Sequence, residues 1–292
     1  MATAIVAFTG ALWGVYWLPV RSLGEMGLPG AWGTVAITTA AALLLFPLAI
    51  RRRGQFARSD RTALASIALG GAAFALYSIA FMYGRVAIII LLYFLTPVWS
   101  TLIGRYVMGW QTSRLRVLAI LVGLAGLSIM LSADAQLPLP RGAGEWMALF
   151  AGFLWSVGTT GMRAKSDLDP GPAAFVFAIG AAVTALTLAP FLEPLRSGPY
   201  GGGFAAPLGL AIATGGVWWG LSTASLMWAA VRLEPARVGI LLMTEVVVGA
   251  VSAAVLAAEQ LAPLELVGGA LVLCAGVLEV WPVRRGAPHQ PS

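Results

Sequence analysis

Charge is what this chain of 292 residues has least of: 10% of it is Asp, Glu, Lys or Arg, against about 25% in an ordinary soluble domain. So little charge cannot cover a water-soluble protein of this size, and the apolar 59% must largely face lipid. Lysine, histidine and cysteine occur once each, as Lys165, His289 and Cys274. A single cysteine excludes an intrachain disulfide. The one histidine lies in a polar tail, which leaves no base for serine chemistry inside the apolar runs. No spacing of His, Cys, Asp and Glu there suits a metal, and no Gly-x-x-x-x-Gly-Lys-Ser/Thr loop exists to hold ATP. Neither an enzyme nor a cofactor is therefore expected. No basic stretch precedes the first apolar run, whose first charge is Arg21, so a cleaved signal peptide is not expected.

What the chain does have is apolar runs long enough to cross a hydrocarbon core of roughly 30 Å. They fall near 3–20, 30–50, 63–83, 86–107, 115–133, 145–163, 172–192, 206–230, 236–257 and 264–282. The net charge of +6 sits in the short links between them, which is an orientation signal and not a nucleic-acid face. Counted on alternate sides, fourteen Arg and Lys face four, the four being Arg21, Arg85, Arg141 and Arg196. The richer side is expected to be cytoplasmic, with both termini on it, in a bacterial inner membrane.

The chain also repeats itself. Gly10-Ala11-Leu12-Trp13 in the first segment matches Gly152-Phe153-Leu154-Trp155 in the sixth. Leu95-Thr96-Pro97 matches Met243-Thr244-Glu245, and Leu124-Ala125-Gly126 matches Cys274-Ala275-Gly276. A unit of five segments is odd-numbered, so its second copy enters the membrane upside down. The expected fold is an all-α integral membrane protein with ten transmembrane helices, arranged as two inverted five-helix repeats around a central cavity. The repeats span 1–140 and 141–285, followed by a cytoplasmic tail, 286–292. With both repeats in one chain, a monomer suffices.

Two five-helix repeats, each opening on a Gly-x-x-Trp helix, resemble the EamA branch of the drug/metabolite transporter superfamily. Leu91-Leu92-Tyr93-Phe94-Leu95-Thr96-Pro97, followed by Gly109-Trp110-Gln111, is similar to the YddG-type aromatic amino-acid exporters. Thr244-Glu245-Val246 through Ala258-Glu259 resembles the family's Glu-Pro…Gly-Glu pattern, with Val246 in place of the proline and Ala258 in place of the glycine. Gln111 stands where the first half usually has glutamate. The resemblance covers nearly the whole chain and implies export of amino acids or other metabolites through a cavity lined by segments 1, 3, 4, 6, 8 and 9.

Depth within the segments selects the candidate residues. Trp17, Trp32, Trp110, Trp146, Trp228 and Trp281 lie near segment ends and fit an interfacial aromatic belt; Trp17 is also kept among the cavity candidates. Trp13, Trp99, Trp155, Trp218 and Trp219 lie deep, where an indole N–H needs a partner or a cavity. Tyr77 and Phe81 share a face by i, i+4 spacing, as do Tyr93 and Pro97, and Trp155 and Thr159. Pro97 should free the Tyr93 carbonyl. Segment 8 offers Gly215, Ser222 and Ser225 beside Trp218 and Trp219, a face that close helix packing alone would also explain.

Glu245 is the sharpest polar signal. It lies near midplane, with Gly249 and Ser252 on the same face, and must be protonated or paired. It is expected to bind a substrate ammonium or carry a coupling proton; a neutral hydrogen bond between helices is the rival role. Glu279 is expected to snorkel toward Arg284 and Arg285, and Arg85 to meet lipid phosphates, with gating as the lesser alternative. The function expected is a secondary exporter of small metabolites by alternating access, with amino acids as substrates and aromatic ones favoured. Its partners are that small molecule and the lipid bilayer, with no nucleic acid. Another metabolite or drug as cargo, or an uncoupled facilitator or channel, is the alternative.

Overall fold

The structure is a computed structural model that describes residues 1–109, 113–132, 139–165, 168–194, 205–230, 232–233, 238 and 241–281. Trp110, Gln111, Arg196, the Glu279 side chain and the tail from 282, with Arg284, Arg285 and His289, lie outside the described residues. Every regular element among the described residues is helical. The first half holds α1 (Ala2–Gly14), α2 (Trp17–Glu25), α3 (Trp32–Arg51), α4 (Gly54–Arg58) and α5 (Arg61–Ala80). It continues through α6 (Val86–Tyr93), α7 (Thr96–Tyr106) and α8 (Arg114–Leu131). The second holds α9 (Ala143–Lys165), α10 (Pro170–Leu192), α11 (Ala205–Thr214), a π-helical stretch (Gly215–Leu221) and α12 (Ser222–Ala230). It ends with α13 (Thr244–Leu256) and α14 (Pro263–Val280).

Six helical stretches among the described residues are long and apolar enough to cross a membrane: Ala2–Glu25, Trp32–Arg51, Arg61–Ala80, Val86–Tyr106, Arg114–Leu131 and Pro170–Leu192. Large apolar side chains such as Leu43, Leu121, Val183, Phe191 and Val255 point outward, as a lipid-facing surface requires. Short polar signals start some of the helices. The Asp60 carboxylate accepts from Thr62 N at 2.8 Å ahead of α5, and Glu265 accepts from Ala262 N at 2.8 Å ahead of α14.

Several expected segments are interrupted. The first divides at Val15–Tyr16 between α1 and α2, and the eighth carries the π-helical stretch. The fourth breaks at Phe94–Leu95, and the Tyr93 carbonyl that Pro97 would leave free accepts from the Thr96 hydroxyl at 2.6 Å. In the second half the Thr244 hydroxyl does the same to the Leu241 carbonyl at 2.8 Å. A threonine thus satisfies the broken turn at both places.

Close approaches fix how the helices run. Gly10 packs on Thr244, Gly14 on the Glu245 carbonyl and Gly249, and Trp17 on Ser252, so α1–α2 and α13 run the same way. Gly152 packs on the Tyr93 carbonyl and Ser156 bonds the Thr96 carbonyl, so α9 runs with α6–α7. Val86 meets Glu259 and Ile90 meets Gly249, so α6 opposes α13. Helices α1 and α9 therefore run in opposite directions. The pairings also mirror one another: α1 packs on α12 and α13 as α9 packs on α5 and α6–α7, while α3 pairs with α10 and α8 with α14. At the α8–α14 crossing, Gly126 lies against Gly268, where a Cβ on either glycine would meet the other's carbonyl. Gly276, by contrast, packs on Met243.

Ala258 follows α13 with φ +52°, a left-handed conformation that crowds a Cβ against its own backbone. Ala258→Gly is expected to stabilise the protein by about 1 kcal/mol, net of the extra freedom glycine has when unfolded. Thermal unfolding in detergent would reveal it as a higher midpoint.

Candidate functional site

Glu245 lies in the first turn of α13, immediately after Thr244, which closes the broken turn, and the residue is 4% exposed. Oε1 accepts from the Tyr77 hydroxyl of α5 at 3.0 Å. No Arg, Lys or His among the described residues pairs with this carboxyl group. Tyr77 stacks on Tyr93 of α6 at 4.3 Å between ring centroids and meets Phe81 edge-on at 4.7 Å. Beyond them, Phe74 meets Trp219 at 4.5 Å, Phe177 meets Trp219 at 5.2 Å, and Trp155 meets Phe177 at 5.9 Å and Tyr93 at 6.2 Å. Rings from α5, α6, α9, α10 and the π-helical stretch thus surround one end of the acid's environment. These rings also pack on one another.

Tryptophans tie α1 and α2 to the second half. Trp13 Nε1 donates to Ser222 Oγ at 3.0 Å, Trp17 Nε1 to Ser252 Oγ at 3.0 Å, and Trp218 Nε1 to the Leu12 carbonyl at 2.8 Å. The belt reading of Trp17 is overturned, since the side chain is buried and bonded between helices. Trp32 is likewise anchored, to the Glu193 carbonyl at 3.0 Å, whereas Trp146, Trp228 and Trp281 are exposed as a belt requires. The Thr159 hydroxyl is spent on its own helix, bonding the Trp155 carbonyl at 2.7 Å, and Ser222 also donates to the Trp218 carbonyl. Pro97 is half-buried in the first turn of α7.

Two clefts lie at opposite ends of the molecule. One, of about 270 Å³, is lined by Met1, Ile5, Ser225 and Trp228 between α1 and α12. The other, of about 130 Å³, is lined by Arg85, Ile88, Met130, Leu131, Arg141, Glu145 and Glu265. At this second end, ion pairs join the halves. Arg85 grips Glu265 through two contacts of 2.6 and 3.1 Å and the Gln260 carbonyl at 2.5 Å. Arg21 lies 3.5 Å from Glu259 and bonds the Phe81 and Gly84 carbonyls. Glu259 in turn accepts from Val86 N at 2.8 Å and Ala87 N at 3.2 Å, capping α6 from across the structure. The expectation that Arg85 meets lipid phosphates gives way to this bidentate pair with Glu265.

Sequence reasoning missed Phe74, Phe177 and Glu265, and gave Glu259 only as the end of the motif that begins at Thr244. Phe74 lies one turn before Tyr77 on the same face, a spacing that was legible. Phe177, one apolar residue in an apolar helix, carried no signal.

No family model matches the sequence, and no curated protein does. Solved structures share the fold: one, described only as a crystal structure of a protein, matches with a TM-score of 0.60 at 19% identity, covering 95% of each chain.

Proposed function

We propose that this chain is a secondary transporter of the EamA type, exporting small metabolites that carry an aromatic ring and an ammonium group, aromatic amino acids among them. Two inverted repeats, 1–140 and 141–285, rock against each other about the Glu245–Tyr77 centre. The observation that carries the reading is the helix pairing, which is reproduced when the two halves exchange: α1 with α12 and α13 against α9 with α5 and α6–α7. The opposed courses of α1 and α9 support the inversion. A deep acid held by both halves supports alternating access, because a group shared by two moving bodies can be offered to either side in turn.

In this conformation contacts between the halves tie the end carrying Arg21, Arg85, Glu259 and Glu265, and the larger of the two clefts described lies at the end carrying Met1 and Trp228. With the Arg-rich links cytoplasmic, this is the state that receives cargo from inside the cell. Chemistry at the site needs no cofactor, and no covalent step is proposed. The test is radiolabelled phenylalanine counterflow in proteoliposomes. Saturable exchange that depends on unlabelled substrate inside is the expected result; flux without saturation or counterflow would indicate a channel and end the carrier reading.

A further inference from the structure

Winding with i→i+5 hydrogen bonds is rare, and the eighth segment carries seven residues of it, Gly215–Leu221, between α11 and α12. Its upstream end is pinned: a Cβ on Gly215 would meet the Ile37 carbonyl of α3 at 2.8 Å and Ala41 N at 2.9 Å. Its downstream end is held by one side chain. Ser222 N–H donates to the Val217 carbonyl, five residues back, where an α-turn would give it the Trp218 carbonyl. The Ser222 hydroxyl donates to that Trp218 carbonyl instead, and the same oxygen accepts Trp13 Nε1 of α1 at 3.0 Å. Trp218 Nε1 adds a second tie to α1, at the Leu12 carbonyl. Against these gains, Thr214 Oγ1 and Trp219 Nε1, at the start of the stretch and within it, are buried without a hydrogen-bond partner among the described residues. The wide winding leaves polar groups unsatisfied and is kept by contacts with α1, so a loss of those contacts tips it.

An α-helix turns about 100° per residue, and a turn closed by an i→i+5 bond holds one residue more than an α-turn. Rewinding the stretch as α therefore rotates α12 by about 100° against the pinned α11. Leu221, now exposed, takes the direction that Ser222 holds; Ser222 N–H takes the Trp218 carbonyl, and the hydroxyl lets go of Trp13. Ser225 and Trp228 turn off the α1 seam with it, which remakes the cleft they line with Met1 and Ile5. Trp219 lies within the rewound stretch against Phe74 and Phe177, and Phe74 meets Tyr77, so the change also reaches the partner of Glu245. We infer that Gly215–Leu221 switches between π and α winding, with the Ser222 hydroxyl as its catch. Resting on the transport reading above, the switch opens and closes the Met1 end of the path to Glu245.

A nitroxide on Leu221→Cys, in a Cys274→Ser background, reports which way that residue faces through its collisions with oxygen dissolved in lipid. Two populations are expected in proteoliposomes, one facing lipid and one buried. Ser222→Ala should enlarge the buried one, whereas Ser222→Thr, which keeps the hydroxyl, should not. Deleting Gly216, where even a Cβ would touch only the Leu44 side chain, removes the extra residue and leaves α11 and α12 on their present faces. That variant should keep position 221 facing lipid, bind phenylalanine as its parent does, and lose phenylalanine counterflow about tenfold or more. A single population in every variant overturns the switch, and with counterflow intact it leaves transport standing. Two populations with counterflow undiminished by the deletion overturn the part of the winding in opening the path. Two populations without counterflow in any protein, the parent included, overturn the transport reading and leave the switch. Should the deletion variant not fold, Ser222→Ala against Ser222→Thr decides, since equal populations in the two overturn the catch.

Discussion

Replacing Glu245 with glutamine is expected to slow transport of a cationic aromatic substrate at least tenfold, roughly the loss when one partner of a buried ion pair is removed, while leaving the protein as stable as before or more so. The two effects separate because the same group costs stability and supplies function. A charged carboxylate near midplane costs from about 2.5 kcal/mol upward, and no described cation offsets it here. Glutamine keeps an oxygen for the Tyr77 hydroxyl, now 3.0 Å from Glu245 Oε1, so the link between α5 and α13 survives. What disappears is the ability to ionise when a cation arrives. Initial rates in proteoliposomes and thermal unfolding in detergent measure the two separately. Loss of flux driven by a pH gradient with counterflow retained would assign the carboxyl group to proton coupling and not to substrate. Unchanged rates in both modes would remove Glu245 from the mechanism.

Glu259→Ala is expected to destabilise the protein by about 2–4 kcal/mol and to loosen the end of the molecule that it closes. This carboxylate has three partners: Val86 N, Ala87 N and Arg21, all in the first half. Alanine leaves the N–H groups of two buried residues at the start of α6, Val86 and Ala87, without acceptors and Arg21 without its counter-charge. The loss falls on the closed arrangement alone if the halves part there during transport, so the opposite state gains population. A cysteine at Leu131, in a Cys274→Ser background, reads this out. Leu131 is buried beside Arg85 and Glu265, and its thiol should react faster with an impermeant maleimide in the Glu259→Ala protein. Glu259→Gln, which keeps one acceptor oxygen, should fall between. Unchanged labelling with lowered stability would make Glu259 a helix cap and nothing more.

The residues read correctly from sequence were those whose meaning depends on depth. Trp13, Trp218 and Glu245 sit well inside apolar runs, where a polar atom needs a partner, and each has one, whereas the equally deep Trp99 and Trp219 bury indole N–H groups with no partner among the described residues. Trp17 and Arg85 were misread because they lie near segment ends, where water and lipid headgroups are the ordinary partners. Their actual partners, Ser252 and Glu265, are supplied by helices far along the chain. Gly126 meets Gly268, a contact that only the crossing of the two helices shows.

By itself the sequence determined the solvent of this protein. Its shortage of charge and its long apolar runs leave helices as the structure able to satisfy the backbone within lipid, and the broken turns at Thr96 and Thr244 follow from local chemistry. Which face of each helix turns inward was decided by tertiary structure alone. These helices are apolar almost all round, so hydrophobic periodicity marks no inner face. Tyr77 and Glu245, 168 residues apart, were brought together by glycines that let α1 lie against α13 and α9 against α5 and α6. In a membrane, close packing and a few hydrogen bonds choose helix partners, and neither is written in hydropathy.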